Sequence, residues 1–252
     1  MKDFKEENSS HIKEAEHIRM KKTQIILAAA AMFFIIAAVL LTSFQIAIYG
    51  DPQYGFYERL YEKYNVTEDL EMELSDVMEV TDYMMAYLIG KEEELSIVTD
   101  VDGREQDFFN KQDRLHMADV RNLFLGGLKL RTALLVLAAG MILLLVFCGV
   151  DIRLVLTKAY KWALSAFLAV ILFLAIAFSI DFTMCFCIFH EIFFTNDLWM
   201  FDPAEDYMIR MLPEGFFSDM VIRIGLFFLG FLFIIWLIFR GWKIFAEKRQ
   251  GM

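Results

Sequence analysis

Four apolar runs, Thr23 to Ile48, Thr132 to Val150, Trp162 to Ile180 and Val221 to Phe239, decide what this chain can fold into, because each is almost free of charge. A hydrocarbon core of about 30 Å takes about 20 helical residues, and each run is of that length. The first is also longer than a signal-peptide core of about 7 to 15 residues, and no small-residue cleavage site follows it, so it is expected to remain as a span. With 58% hydrophobic residues and 26 phenylalanines in 252 residues, lipid is the solvent to be reckoned with. The expected fold is membrane all-α. Four transmembrane helices frame a mostly helical extracytoplasmic domain between the first and second spans and a shorter one between the third and fourth.

Charge distribution sets the orientation. Lys21 and Lys22 precede the first run, Arg153, Lys158 and Lys161 separate the second from the third, and Arg240, Lys243, Lys248 and Arg249 follow the fourth. The positive-inside rule puts all three groups in the cytoplasm. The net charge of -10 comes mostly from the segment after the first span, which is rich in Asp and Glu and is tolerated outside. It also argues against nucleic acid as a partner. The chain is therefore expected to divide into a cytoplasmic lead (1–22), a first span (23–49), an extracytoplasmic domain (50–130) and a second span (131–150). A cytoplasmic loop (151–161), a third span (162–181), an outer interfacial loop with a short helix (182–219), a fourth span (220–240) and a cytoplasmic tail (241–252) complete it.

Within the outer domain, Tyr54, Tyr57, Leu60, Tyr61 and Tyr64 recur at helical spacing. Thr67 is a candidate N-cap for a helix running through Leu70, Leu74, Val77 and Leu88 to Gly90, and Ser96 to Val101 reads as a strand ending at the Asp102-Gly103 turn. Asn110 is placed to cap a helix that carries His116 and, one turn on, Asp119, which lies on the same face and is positioned to orient the imidazole. A surface salt link is the plainer reading of that pair. Gly126-Gly127 is expected to break this helix before the second span, leaving His116 roughly 15 Å, or about ten helical residues, from the bilayer edge. Beyond the third span, Phe182 to Phe194 stays apolar except for His190 and Glu191 and is expected at the outer interface. Asp202-Pro203-Ala204-Glu205 predicts a short helix ended by Pro213.

Ionisable groups at membrane depth are costly and mark candidate sites. His11 and His17 sit in the polar lead and carry no assignment, which leaves His116 and His190, both expected just outside the membrane. Two imidazoles titrating near neutrality divide the roles of base and acid well, and at that depth the bond to be broken is a lipid ester. His190-Glu191-Ile192-Phe193-Phe194 has Phe where a zinc protease needs its second histidine, and there is no Gly-x-Ser-x-Gly elbow or phosphate-binding loop. Cys148, Cys185 and Cys187 lack the spacing of zinc ligands.

Phe189-His190-x-Ile192-Phe193-Phe194, Asn196-Asp197-x-Trp199, Asp206-x-x-Ile209-Arg210-x-x-Pro213 and His116-Met117-x-Asp119-Val120 resemble the lipoprotein intramolecular transacylases of Gram-positive bacteria, across most of the chain from the first span to the fourth. The departures, Tyr207 and the acidic middle of the first outer loop, touch neither histidine. The resemblance implies a multi-pass enzyme of the bacterial plasma membrane, both termini cytoplasmic and the active site at the outer leaflet. It moves the sn-2 acyl chain of a diacylated lipoprotein to the α-amino group of that lipoprotein's N-terminal cysteine, giving the lyso form. It implies no cofactor and no metal, with the lipoprotein and membrane lipids as partners. His116 and His190 are the expected catalytic pair, in either order. Asp119 supports His116, while Glu191, Trp199, Asp206 and Arg210 stand behind them with structural readings as interfacial anchor, cap or salt-bridge partner. The competing classes are a non-enzymatic sensor or accessory protein, and an intermolecular lipid acyltransferase or lipase using the same histidines.

Overall fold

In the computed structural model, residues 22–250 are described, so His11, His17 and the rest of the polar lead lie outside the described residues. Eleven elements follow in order: α1 (Lys22–Tyr49), α2 (Gly55–Lys63), α3 (Val66–Asp69), α4 (Leu74–Leu88), β1 (Val98–Val101), β2 (Arg104–Asp107), α5 (Lys111–Phe147), α6 (Ile152–Ile180), α7 (Phe182–Phe193), α8 (Tyr207–Met211) and α9 (Glu214–Gln250). Helices α1, α5, α6 and α9 are long and apolar enough to cross a membrane. The protein is thus a multi-pass membrane protein of the all-α class, and among the described residues the strands are confined to one hairpin.

The chain forms two compact units. One comprises Lys22–Ala38, Ala133–Leu168 and Leu232 onward; the other comprises Val39–Thr132 and Ala169–Phe231. In the first, Tyr160 is almost wholly buried and its hydroxyl donates to the Leu232 carbonyl at 2.5 Å, which removes a polar group from an otherwise apolar contact. The second contains the aromatic and methionine-rich core: Tyr57, Leu60, Tyr61, Val77, Met84, Phe108, Met211 and Phe216 pack together, with the Tyr61 hydroxyl satisfied by Thr81 Oγ1 at 2.7 Å. The amphipathic period read at Tyr57, Leu60 and Tyr61 becomes α2, with all three on its buried face.

Several boundaries differ from expectation, each for a tertiary reason. Gly126-Gly127 does not break α5, which continues through it as one helix of 37 residues. Contacts with α1 hold both sides of the glycine pair: Tyr49 packs on Phe124 at 5.4 Å between ring centroids, Leu41 faces Gly127, and Arg131 donates to the Gln45 side chain. This packing outweighs the cost of glycine in a helix interior, about 1 kcal/mol each. Thr67 does not start the long helix. Val66–Asp69 makes a single turn, Glu71 adopts a positive φ of 51°, and α4 begins at Leu74. The Leu70 carbonyl accepts from Asp102 N at 3.0 Å, which ties the interruption to the hairpin. The strand expected before Asp102-Gly103 has a partner, with Val98 opposite Asp107 and Val101 opposite Arg104.

The loop expected at 151–161 is mostly helix. Asp151 Oδ1 accepts from the backbone of Arg153 at 3.0 Å and caps α6, so the connection shrinks to Cys148–Asp151, with Gly149 at φ +68°. Asp202 closes only a turn through Ala204 N at 2.9 Å, and α8 starts at Tyr207, because the Asp206 carboxylate is drawn back to Asp202 N at 2.6 Å. Pro213 both ends α8 and precedes α9, whose first residue is Glu214.

Candidate active site

The site is assembled where the start of α5 meets the end of α7 and the loop that follows it. Asn110 and Asp113 form a reciprocal cap: Asp113 N donates to Asn110 Oδ1 at 3.0 Å and Asn110 N donates to Asp113 Oδ2 at 2.9 Å. This fixes the first turn of α5 and places His116 one turn on, well before the apolar part of the helix that begins at Thr132. Asp181 caps α7 through Met184 N at 2.8 Å, and His190 sits in the last turn of that helix.

The two imidazoles lie 6.0 Å apart, centroid to centroid, with their planes inclined by 30°. Their relative exposures are 5% and 7%, so both are withdrawn from solvent. Phe194 touches both rings, at 5.1 Å from His116 and 5.5 Å from His190. Phe201 meets His116 edge-on at 5.2 Å, while Trp199 stacks on His190 at 4.9 Å. His190 Nδ1 lies 2.7 Å from the Phe186 carbonyl, which can only accept, so Nδ1 carries the hydrogen and the Nε2 lone pair is left free. Burial, then the neighbouring His190, pushes the His116 pKa down from 6.5 to about 4, with Asp119 pulling weakly the other way. Burial also lowers that of His190, against the opposing bond to the Phe186 carbonyl. Both rings are therefore neutral near pH 7.

Of the residues singled out from sequence, the fold brings His116, His190 and Trp199 into direct contact. Asp119 is near but does not hydrogen-bond His116. Its Oδ2 accepts from Asn196 Nδ2 at 2.9 Å, so it anchors the loop bearing Trp199 instead of orienting the imidazole. Asp206 is buried beside the α5 cap, where it accepts from Asn110 Nδ2. Arg210 is apart from the histidines: it pairs with Asp69 at 2.9 Å and Asp102 at 3.1 Å, stitching α3 and the hairpin to α8. Glu191 faces outward and is exposed.

Sequence reasoning passed over Gln112, Asp113 and Phe201, and named Phe194 only as part of the motif that contains His190. Gln112 Nε2 donates to the carbonyls of Leu198 at 3.1 Å and Met200 at 3.0 Å, clamping the loop across the rings. Asp113 had a legible signal in its spacing, three residues after the Asn110 cap and three before His116. Phe201 had none, since aromatic residues abound in this chain.

A family model described as lipoprotein intramolecular transacylase Lit matches residues 25–217, which is most of the chain. The chain belongs to the Lit family. Its class is accordingly that of a transferase, an acyltransferase acting within a lipoprotein. An in meso structure of the lipoprotein intramolecular transacylase Lit from Bacillus cereus superposes with a TM-score of 0.69 at 21% identity, over 92% of this chain and 100% of that one. Two structures of the same Bacillus cereus Lit with one histidine replaced, by alanine or by arginine, give TM-scores of 0.67 and 0.68 at 20% identity. They cover 95% and 97% of this chain, and 99% and 100% of theirs. At that identity the likeness supports the Lit fold alone. No curated protein matches the sequence.

Proposed function

We propose that this protein moves the sn-2 acyl chain of a diacylglyceryl lipoprotein to the α-amino group of the same molecule's N-terminal cysteine, with His190 as base and His116 as acid. The observation that carries the reading is the pair of buried, neutral imidazoles 6.0 Å apart, one with its tautomer fixed. Amine and ester reside in one substrate, so orientation supplies much of the rate, with no second lipid required. The substrate ammonium, of reference pKa about 7.7 to 8, must lose a proton before the nitrogen attacks, and the glycerol oxygen must gain one as it leaves. The ammonium loses its first proton to solvent, and the free Nε2 of His190 takes the second as the nitrogen bonds the acyl carbon. His116, the other ring of the pair, delivers one to oxygen. Trp199, Phe194 and Phe201 keep water from the ester, and Asp119, Asn196 and Gln112 hold the loop that carries them. Asp206 and Arg210 maintain the frame, and Glu191 has no part in proton transfer.

We place the site at the outer leaflet, with both termini cytoplasmic. This is supported by the basic residues at the opposite ends of the spans, and by α7. Met184, Ile188, Phe189, Ile192 and Phe193 are exposed apolar side chains on that helix, while His190 is buried, an arrangement that suits the acyl-headgroup boundary. On this topology residues 1–22, the turn near 151 and residues 241–252 are inside, and 50–130 and 182–219 are outside. The substrate is a diacylated lipoprotein in the membrane, reached from the lipid side.

The test is mass spectrometry of a lipoprotein N-terminus from cells expressing His116→Ala or His190→Ala. The expected result is an accumulated, folded protein whose lipoprotein keeps a free amino group. Lyso-form product with both variants would overturn the assignment. A labelled phospholipid donor checks the intermolecular alternative, and no label is expected in the product.

A further inference from the structure

Two buried side-chain atoms among the described residues have no hydrogen-bond partner: Asp113 Oδ1 and His116 Nδ1. They belong to residues three apart on one helix, so their side chains rise from the same face about 5 to 6 Å apart at Cβ. Asp113 is 0% exposed and His116 5%, and neither has water to turn to. The two are not bonded to each other in this structure, but an unpaired buried polar atom is costly, and a change of side-chain rotamer makes each a natural partner for the other. The other Asp113 oxygen is committed to Asn110 N, and Asn110 in turn holds Asp206, so the carboxyl is fixed from behind and has one oxygen to offer.

We infer that Asp113 is the positioning residue behind His116, its Oδ1 sharing a proton with His116 Nδ1 so that the imidazole presents Nε2–H to the leaving glycerol oxygen. This rests on the roles assigned above to the two histidines. It resolves a difficulty in them, since a neutral imidazole is a weak acid and a cationic one is disfavoured in this site. As the amine nitrogen bonds to the acyl carbon and the bond from that carbon to the sn-2 oxygen breaks, the nitrogen's proton passes to His190 Nε2. The departing oxygen takes the His116 Nε2 proton, and Asp113 supplies its proton to His116 Nδ1. Asp113 is left as carboxylate and His190 as imidazolium, and exchange with solvent as product leaves returns the proton.

The surroundings suit a carboxyl that holds its proton. Burial raises the Asp113 pKa from 3.8 to about 7, Asn110 N–H opposes this, and Asp206 adds to it. The charged groups around it are Arg114 on its own helix, Asp107 on β2 and Asp206 at the start of α8, with His116 three residues on along the same helix.

The test is Asp113→Asn. The amide keeps an acceptor for Asn110 N and a donor for His116 Nδ1, so fold and tautomer persist, but it has no proton to release. The expected result is unchanged melting with at least about a tenfold lower rate of lyso-form production. The decline in wild-type rate as Asp113 ionises above neutrality is also expected to disappear from the variant's pH profile. A wild-type rate and profile in Asp113→Asn would overturn the inference. Should the variant not accumulate, ¹⁵N spectra of labelled wild-type protein decide: hydrogen on His116 Nε2 supports the pairing, and hydrogen on Nδ1 refutes it. If His116→Ala is inactive while Asp113→Asn is not, this inference alone fails. If His116→Ala is active, the underlying proton-transfer roles fail with it.

Discussion

Replacing His116 by phenylalanine should flatten part of the protein's acid sensitivity, and the size of the effect follows from its burial. In the folded protein the imidazole titrates near 4, against 6.5 for the free side chain. Between those values the unfolded chain binds more protons than the native one, so stability falls as pH drops through 6.5 and the loss is complete near 4. The drop from 6.5 to about 4 corresponds to about 3 kcal/mol, at ~1.36 kcal/mol per pH unit. With only 5% of the residue exposed, solvent screening does not reduce this appreciably. Phenylalanine fits a site already bounded by Phe194 and Phe201 and has nothing to protonate. His190 titrates in both proteins and largely cancels in the difference. The assay is unfolding of purified wild type and variant by SDS titration in mixed micelles, from about pH 7 to about 4.5, where most of the difference has developed. The variant should gain on wild type throughout that interval. Parallel curves would mean that His116 is not held neutral by burial, and the account of the site would fall with it.

Arg210→Ala should lower stability by about 1 to 2 kcal/mol, less at high salt, by releasing Asp69 and Asp102, while kcat below the melting temperature stays within about twofold. Arg210→Lys should not restore the lost stability, because one ammonium cannot reproduce the guanidinium fork; thermal melts and initial rates check both points. Gly215→Ala should destabilise by about 1 to 3 kcal/mol, since a Cβ there would fall 2.4 to 2.7 Å from atoms of the Tyr64 side chain, which Asp219 holds at 3.0 Å through the hydroxyl. Gly230→Ala, with nothing within 4 Å, should leave the melting temperature unchanged or higher.

The sequence by itself determined the solvent and the four long helices, and it singled out the two histidines that the fold then brings together. Apolar run length against bilayer thickness, and the cost of an imidazole in an aromatic stretch, are properties of the chain that no neighbour has to supply. Local capping chemistry was equally legible at Asn110, where a side chain meets its own backbone a few residues away. Only the tertiary structure decided that Gly126-Gly127 is helix, because the contacts that override glycine's flexibility come from α1, 80 or so residues earlier in the chain. It also decided which partner each polar group takes. Asp119 turned to Asn196, Arg210 to Asp69 and Asp102, and Asp113 became buried with one oxygen unspent. Spacing along a helix says which residues share a face; burial and the competition among distant donors settle which of them pair, and neither exists until the chain has folded.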